Sequence, residues 1–205
     1  MITILQWNIA GYRTKFAELK VLLEDFSPAC VCLQETLLSR HSPRGPNGYS
    51  ILTSLPTRAD DHERGSALLV SNSVPYTPLP LRTPLQAVAA RVCLGKIYTV
   101  CSLYLPHVPV SKQDITDLLT QLPRPFLLLG DMNAKSPLWG EPTADPRGRL
   151  FEDPLSLTTV HPLIITFKQE PCLPLTCLSA PQIAFWIFLM QLPLILEVAI
   201  TTPYN

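Results

Sequence analysis

The sequence predicts a mixed α/β fold in which two β-sheets pack face to face and helices cover their outer faces. Three observations support this prediction. Short β-rich runs alternate with helical patterns, and 22 prolines against eight glycines favour many short strands bounded by turns. The 205 residues, of which 47% are apolar, suffice for one domain with a single core. Because only 16% of residues are charged, collagen, coiled coil and highly charged disorder are excluded.

The first predicted elements are a strand, a helix and a second strand. Ile2–Asn8 has the pattern of a strand, and apolar residues then recur with helical spacing from 16 to 26, until Pro28 ends that helix. Ala29–Gln34 is predicted to be a short buried strand, and a carboxylate, Glu35, follows it directly.

β-rich runs separated by proline, asparagine or glycine occupy the middle of the chain. We expect four strands there, at Tyr49–Thr53, Ser66–Ser71, Ala87–Cys93 and Ile97–Tyr104. Ser111 has the position of an N-cap for a helix that runs through Gln121. Phe126–Leu129 is a fully apolar strand that leads into the Gly-Asp-Met-Asn segment at 130–133.

Residues 158–205 differ in composition from residues 1–157. They contain no glycine and no aspartate, and their only Asp, Glu, Lys or Arg residues are Lys168, Glu170 and Glu197. The turns and solvated faces of a folded domain use glycine and charge throughout. The sequence therefore divides into one domain at 1–157 and a divergent apolar tail at 158–205.

Charge, cysteine usage and the N-terminus bear on partners and location. A formal net charge of zero removes the simplest argument for nucleic-acid binding, although it leaves room for a local basic face. No signal-peptide pattern follows Met1, so an intracellular, non-secreted protein is expected. The apolar stretch Ile183–Ile200 is short and interrupted, which disfavours a membrane span. We expect small buried cysteines of a reduced protein at four strand-like positions: Cys30, Cys32, Cys93 and Cys101.

Three predicted strands lead to polar side chains that a buried strand does not need. The first ends at Asn8, the second is followed by Glu35, and the strand at 126–129 leads to Asp131 and Asn133. Residues two apart on an extended segment share a face, so Asp131 and Asn133 can address one ligand together. Amide and carboxylate oxygens are hard ligands of the kind that Mg²⁺ requires. Each residue alone is more typical of a turn or a surface, but their joint occurrence after apolar strands indicates a site.

Longer motifs surround these residues. They are Gln6-Trp7-Asn8, Leu33-Gln34-Glu35-Thr36, Arg64-Gly65-Ser66-Ala67, Ser102-Leu103-Tyr104-Leu105-Pro106 and Gly130-Asp131-Met132-Asn133-Ala134-Lys135-Ser136-Pro137-Leu138-Trp139-Gly140. With these motifs the chain resembles the endonuclease/exonuclease/phosphatase superfamily, and more narrowly the apurinic-endonuclease-like domain of jockey-type non-LTR retrotransposons. The resemblance covers roughly the first three quarters of the chain. It implies a DNase I-like fold, a two-sheet β-sandwich flanked by helices, that is incomplete at the C-terminus.

The resemblance implies a role for each polar residue. Glu35, with Asn8 nearby, would hold Mg²⁺, or Mn²⁺ as a substitute, which neutralises the scissile phosphate. Asp131 would orient or deprotonate the attacking water, and Asn133 would fix the phosphate. Tyr104 would donate a hydrogen bond to a phosphate oxygen; the alternative is a strand aromatic packed against a nearby proline.

The resemblance also implies partners. DNA is the expected substrate, in the nucleus, and a reverse transcriptase domain is expected in the full-length element; no small-molecule cofactor is implied. Trp139 is a candidate packing or stacking platform. Five basic residues are candidates for DNA backbone contacts, although a solvated surface position is at least as typical of them: Arg13, Arg64, Lys135, Arg147 and Arg149.

The tail departs from the family pattern. The family ends with an Ile-Asp-Leu strand and a Ser-Asp-His-aromatic-Pro motif, whose Asp–His pair completes the active site. Neither motif occurs here, and His161 is the only histidine after Leu157.

A frameshift would account for both the lost motifs and the changed composition. One set of codons for Glu197–Tyr204, read from its third base, spells Gly-Ser-Asp-His-Tyr-Pro-Ile. Codons for Pro174–Leu178, read at the same offset, spell Ile-Asp-Leu-Ser. We hypothesise a frameshift after Asp153 and before Pro174. The lost strands would leave a hydrophobic face and a sheet edge uncovered, so the chain is expected to be poorly folded and nearly inactive.

The leading prediction is therefore a Mg²⁺-dependent DNA-nicking domain of a non-LTR retrotransposon, impaired in this chain. An inactive remnant of a mobile element is one alternative. Another phosphodiesterase or phosphatase of the same superfamily is a second. A membrane-tethered protein that uses Ile183–Ile200 is the weakest interpretation.

Overall fold

A computed structural model describes residues 2–38, 44–54, 64–137, 141–157, 186–187 and 194–198. Its elements in chain order are β1 (Ile2–Asn8), α1 (Phe16–Phe26), β2 (Cys30–Gln34), β3 (Tyr49–Thr53), β4 (Ser66–Ser71), β5 (Tyr76–Leu79), β6 (Gln86–Leu94), β7 (Lys96–Tyr104), α2 (Lys112–Thr120), β8 (Phe126–Asp131), α3 (Pro146–Leu157), β9 (Trp186–Ile187) and β10 (Leu194–Val198).

The described strands form two sheets, with the orders β10-β1-β2-β4-β3 and β5-β6-β7-β8-β9. Each sheet contains a parallel pair whose strands are joined by a helix: β1 and β2 through α1, and β7 and β8 through α2. Parallel strands need such a crossover, whereas the antiparallel strands β6 and β7 are joined by a tight turn at Gly95, whose φ is 77°.

Three apolar clusters fill the layers of the domain. Inward-facing residues such as Ile4, Leu68 and Leu129 pack between the sheets. Leu19 of α1 packs against the outer face of the first sheet, and α2 and Phe151 of α3 pack against that of the second. The predicted two-sheet sandwich with outer helices is confirmed. The buried residues of these clusters all lie between Ile4 and Phe151.

The surface between the sheets changes from apolar to polar toward one end of the sandwich. Because side chains alternate between the two faces of a strand, β1 directs Ile4, Gln6 and Asn8 inward in that order. The inward rows of β2 and β7 likewise pass from apolar residues to Gln34 and Ser102. The polar end is where the parallel strands finish.

The helix boundaries follow local chemistry. Ser111 Oγ accepts a hydrogen bond from the backbone nitrogen of Asp114 at 3.0 Å, and Ser111 N donates to Asp114 Oδ2 at 3.2 Å. This capping box confirms the predicted N-cap of α2. α1 ends at Ser27, with a φ of 42°, directly before Pro28.

Two strand details differ from the sequence prediction. β5 is absent from the strands that the sequence predicts. It contains Pro78, which is tolerated because β5 is an edge strand. The prediction that Cys93 is buried is wrong. Cys93 alternates in β6 with the buried Val92 and Leu94 and is exposed. The other three predicted cysteines are free and buried, as expected.

Two short segments of the tail extend the sheets. β10 pairs antiparallel with β1, with Leu194 opposite Gln6, and β9 pairs parallel with β8. The expectation that this edge of the sandwich would be uncovered is therefore wrong for the backbone. No helix in the described ranges is long and apolar enough to cross a membrane. His161 and most of the stretch Ile183–Ile200 lie outside the described residues.

Candidate active site

The ends of β1, β2, β7 and β8 bring four predicted residues together, here called the strand-end cluster: Asn8, Glu35, Tyr104 and Asp131. Asn8 Nδ2 donates hydrogen bonds to Glu35 Oε1 at 3.1 Å and to Asp131 Oδ2 at 2.7 Å. Tyr104 Oη donates to Glu35 Oε1 at 3.2 Å. Since Asn8 and Glu35 come from the first sheet, and Tyr104 and Asp131 from the second, the cluster joins both sheets.

Glu35 lies at the centre of the cluster. Its Oε2 accepts a hydrogen bond from Arg64 Nη1, which makes an ion pair. Burial by itself raises the pKa of this carboxyl group. Its three hydrogen-bond donors and the charge of Arg64 outweigh the burial, so the pKa of Glu35 lies below its ordinary value. Glu35 is therefore a carboxylate at neutral pH.

Tyr104 is a buried hydroxyl donor within the cluster. Its side chain is 3% exposed. Burial, followed by the negative charge of Glu35, raises the pKa of Tyr104 above its ordinary value. The hydroxyl stays protonated at neutral pH, and its bond to Glu35 gives it a polar contact beyond the packing of a strand aromatic.

Two site residues have a strained backbone. Glu35 and Asn133 have positive φ angles of 51° and 47°, which L-residues rarely adopt. Asn133 N donates to Asp131 Oδ1 at 3.0 Å, and Asn133 Nδ2 donates to the carbonyl of Leu105 at 3.0 Å. The turn at Glu35 is held by its carbonyl, which accepts a hydrogen bond from Gly11 N at 2.8 Å.

Two glycines permit close packing behind the cluster. A Cβ atom on Gly130 would lie 1.8 Å from the carbonyl oxygen of Leu103, so only glycine lets β8 lie this close to β7. A Cβ atom on Gly148 would lie 1.8 Å from the carbonyl oxygen of Lys135. The glycine before Asp131 is thus required by strand packing rather than by a turn.

The five basic residues predicted to contact DNA are placed differently. Arg64 joins the cluster through Glu35, while 55% of its side chain stays exposed. Arg13, Lys135 and Arg149 are exposed. The guanidinium of Arg147 donates to four carbonyl groups in the loops after β7 and β8, those of Leu105, Pro106, Val108 and Met132. DNA contact stays a prediction for all five, and Trp139 lies outside the described residues.

Sequence reasoning did not assign a role to three polar residues beneath the cluster. Gln6, Gln34 and Ser102 are fully buried and are hydrogen-bonded to one another. Each is a polar residue that follows an apolar residue on the inward face of its strand: Ile4 before Gln6, Cys32 before Gln34 and Val100 before Ser102. That break in the alternation is the signal that could have identified them.

The donor set suits a hard divalent cation that keeps most of its water. Glu35 and Asp131 supply carboxylate oxygens. The amide nitrogen of Asn8 faces both carboxylates, and its oxygen accepts a hydrogen bond from Ala10 N at 3.3 Å. The part of the chain that the structure describes has no group of three or more His, Cys, Asp or Glu side chains that could hold a metal ion. Mg²⁺ is commonly bound by one or two carboxylates together with water and phosphate. The residues present therefore fit Mg²⁺ completed by water and substrate.

Comparison with known proteins agrees with this geometry. Residues 98–171 match the model of a family described as endonuclease-reverse transcriptase. The chain is 26% identical over 151 residues to a probable RNA-directed DNA polymerase from transposon X-element of Drosophila melanogaster, a match that covers 72% of the chain and 17% of that protein. It is 26% identical over 154 residues to the RNA-directed DNA polymerase from the mobile element jockey of the same species, covering 72% and 16%. The chain thus spans less than a fifth of the length of these relatives.

The fold matches that of a solved endonuclease. The endonuclease domain of TRAS1, a telomere-specific non-LTR retrotransposon, has a TM-score of 0.63 and 22% identity over 76% of this chain and 71% of that one. This confirms the predicted DNase I-like fold, in which two packed sheets are flanked by helices. The similarity to the endonuclease-reverse transcriptase family and to the RNA-directed DNA polymerases of two Drosophila mobile elements agrees with the resemblance that the sequence motifs predict.

Proposed function

We propose that this chain hydrolyses phosphodiester bonds in DNA as the metal-dependent nicking domain of a non-LTR retrotransposon. The observation that carries the proposal is the bridge made by Asn8 between Glu35 and Asp131, two carboxylates from different sheets. Such a pair can serve a cation and a water molecule, while Tyr104 offers a neutral donor to a phosphate.

Asp131 is assigned to the attacking water. Its Oδ1 accepts a hydrogen bond from Asn133 N and its Oδ2 accepts one from Asn8 Nδ2, so the plane of the carboxylate is fixed. Each carboxylate oxygen can accept a second hydrogen bond. Asp131 can therefore hold a water molecule in one orientation and take its proton.

Glu35 and Asn8 are assigned to the cation. Members of this superfamily generally depend on a divalent metal, and we propose Mg²⁺, with Mn²⁺ as a substitute. The bound ion would neutralise the charge of the scissile phosphate. The single hydroxyl proton of Tyr104 is donated to Glu35 in this structure, and it would turn to a phosphate oxygen once the cation takes up Glu35. Asn133 would help to fix the phosphate.

The DNA backbone is assigned to exposed basic side chains. Arg64 beside Glu35, together with the exposed Arg13, Lys135 and Arg149, can form charge-assisted bonds to phosphates. Arg147 already donates to protein carbonyls and is the weakest candidate. We place the action in the nucleus, next to a reverse transcriptase domain of the full element.

We further propose that the activity is impaired because most of residues 158–205 are translated out of frame. After Leu157 the chain has no aspartate, and His161 is its only histidine, so the Asp–His pair of the family is missing. The match to the endonuclease-reverse transcriptase family ends at residue 171, inside the interval between Asp153 and Pro174 where we place the frameshift.

Sequencing the coding DNA and its transcript across codons 150–180 and past Asn205 tests the frameshift. We expect the offset frame to stay open and to spell Ile-Asp-Leu and Ser-Asp-His. A protein restored to that frame should nick supercoiled plasmid with Mg²⁺, while the present chain stays near background. Stop codons in the offset frame would show that the tail is genuine. A restored protein that stays inactive would identify a decayed remnant.

The same nicking assay tests the site in the restored protein. Glu35→Gln and Asp131→Asn keep the shape of each side chain but remove its charge. Asp131→Asn is expected to lower the rate at least about 100-fold, the usual contribution of a positioned base. Glu35→Gln is expected to lower it at least as much, because the cation loses a charged ligand. Asp25→Asn, at an exposed position of α1, is the matched control and should nick normally. Nicking that persists in a metal chelator, or in both site variants, would contradict the proposal.

A further inference from the structure

A layer of buried polar side chains lies directly beneath the strand-end cluster. Gln6, Gln34 and Ser102 are each 0% exposed, and Ser66 is 1% exposed. Deeper between the sheets lies an apolar cluster that includes Ile4, Leu68 and Leu129. Because a buried polar group costs free energy unless it is hydrogen-bonded, a polar layer in this interior calls for an explanation.

The layer is a chain of hydrogen bonds that crosses from one sheet to the other. Gln6 Nε2 donates to Gln34 Oε1, and Gln34 Nε2 donates to Ser102 Oγ at 3.0 Å. Ser102 Oγ donates back to the carbonyl of Leu33 at 3.2 Å. Ser66 Oγ donates to the carbonyl of Gln86 at 2.9 Å and has the carbonyl of Ser102 as a second, longer acceptor at 3.3 Å. The side-chain amide of Gln34 is thus held at both its oxygen and its nitrogen.

Three members of this chain of hydrogen bonds each stand one or two positions before a member of the cluster, on the same strand or at its end. The pairs are Gln6 and Asn8, Gln34 and Glu35, and Ser102 and Tyr104. A rotation or shift of any of these strand ends would move both members of its pair. The buried chain of hydrogen bonds therefore couples the positions of Asn8, Glu35 and Tyr104.

We infer that Gln34, held by Gln6 and Ser102, is a positioning residue that fixes the geometry of Glu35. The inference rests on the proposed function, because it concerns the carboxylate assigned to the cation. Glu35 directly follows Gln34 and has a φ of 51°, a conformation that persists only where its surroundings hold it. An apolar side chain of similar size would fill the same space without fixing the rotation of the strand end.

Binding of Mn²⁺ to the full chain, measured by titration calorimetry, tests the inference without requiring activity. Gln34→Met is expected to lower the Mn²⁺ affinity about tenfold, at the lower end of the effect seen when partners behind metal ligands are removed. Gln6→Met should lower it as well. The double variant should have a Mn²⁺ affinity only slightly lower than that of Gln34→Met alone, because the two residues share one hydrogen bond.

Thr99→Val is the matched control. Thr99 is 1% exposed on β7, the strand that carries Ser102, and its Oγ1 donates to the carbonyl of Pro123 at 2.7 Å, away from the cluster. The control should lower the melting temperature and leave the Mn²⁺ affinity unchanged. If Gln34→Met also lowers only the melting temperature, its role is purely structural and the inference is overturned.

Amide hydrogen exchange provides a readout that does not depend on the metal. The turn at Glu35 is reported by two backbone bonds, from Gly11 N to Glu35 O and from Leu37 N to Arg64 O, both of 2.8 Å. Gln34→Met should speed exchange at Gly11 and Leu37 several-fold, and Thr99→Val should not. If the parent chain binds no Mn²⁺ but Gln34→Met still exchanges faster than the parent, the metal assignment is refuted and the positioning role is supported. Unchanged exchange would refute the positioning role.

Discussion

Asn8 shows how much of the site depends on one side chain. Its amide nitrogen donates to Glu35 and to Asp131, so one NH₂ group serves two carboxylates. Like charges that share a site repel each other, and a shared donor offsets part of that repulsion. The hydrogen bonds from Arg64 and Tyr104 to Glu35 act in the same direction.

Glu35 should make the stability of the fold depend on pH at the acid end. Its pKa is lower in the folded protein than in the unfolded chain. Its stabilising effect is therefore complete above the ordinary carboxyl pKa of about 4.3 and is lost as the pH falls through the lower folded-state pKa. Below about pH 4.3, the melting temperature of the parent should fall more steeply with decreasing pH than the melting temperature of Glu35→Gln.

The exposed Glu24 of α1 provides the control for this measurement. Glu24→Gln should leave the pH dependence of the parent unchanged. Parallel melting curves for the parent and for Glu35→Gln across the acid range would show that the cluster does not hold Glu35 in its charged form.

At the scale of elements, α3 stabilises the loops that follow β7 and β8 and carry part of the site. The side chain of Asp145 accepts a hydrogen bond from Gly148 N at 2.6 Å and so caps the start of the helix. Arg147, in the first turn, donates to the carbonyls of Pro106 at 2.7 Å and Val108 at 2.6 Å. The loops after β7 and β8 are therefore held together by one guanidinium group.

Arg147→Met should destabilise the domain by about 1–3 kcal/mol, since several partly buried carbonyls lose their donor. Arg149→Met, two residues along the same helix and exposed, is the matched control and should change stability by less than about 0.5 kcal/mol. Urea unfolding measures both. Equal stability of the two variants would show that the contacts of Arg147 contribute little to folding. Arg147 would then be as strong a candidate for DNA contact as the exposed basic residues.

The strand ends were predictable from the sequence because Asn8, Glu35 and Asp131 each interrupt or terminate an apolar run. Gln6 and Gln34 carry the same kind of signal, but alternation does not say which face of a strand looks inward or which strands are neighbours. The role of Arg147 could not be predicted, since its partners in the loop after β7 lie about 40 residues earlier and meet it only through tertiary packing.

At the scale of the whole molecule, the formal net charge of zero limits the ways in which the proposed binding of DNA is achieved. Without a long-range positive field, affinity must come from local contacts. The exposed candidates for these contacts are Arg13, Arg64, Lys135 and Arg149. They are few, so binding should depend only moderately on salt.

We expect the logarithm of DNA affinity to fall with the logarithm of salt concentration with a slope no steeper than about −4, since each phosphate contact contributes about −0.9. Fluorescence anisotropy with the Asp131→Asn variant measures the slope without cleavage. Arg149→Met should make it shallower by about one. A slope near zero would contradict binding through the DNA backbone, and a much steeper one would require further basic contacts.

Because Asn8 joins carboxylates from opposite sheets, the site exists only while the two sheets stay docked. Substitutions between the sheets that move one sheet against the other would change the spacing of Glu35 and Asp131 while the strands and helices persist. The geometry of the site would then be lost before the fold.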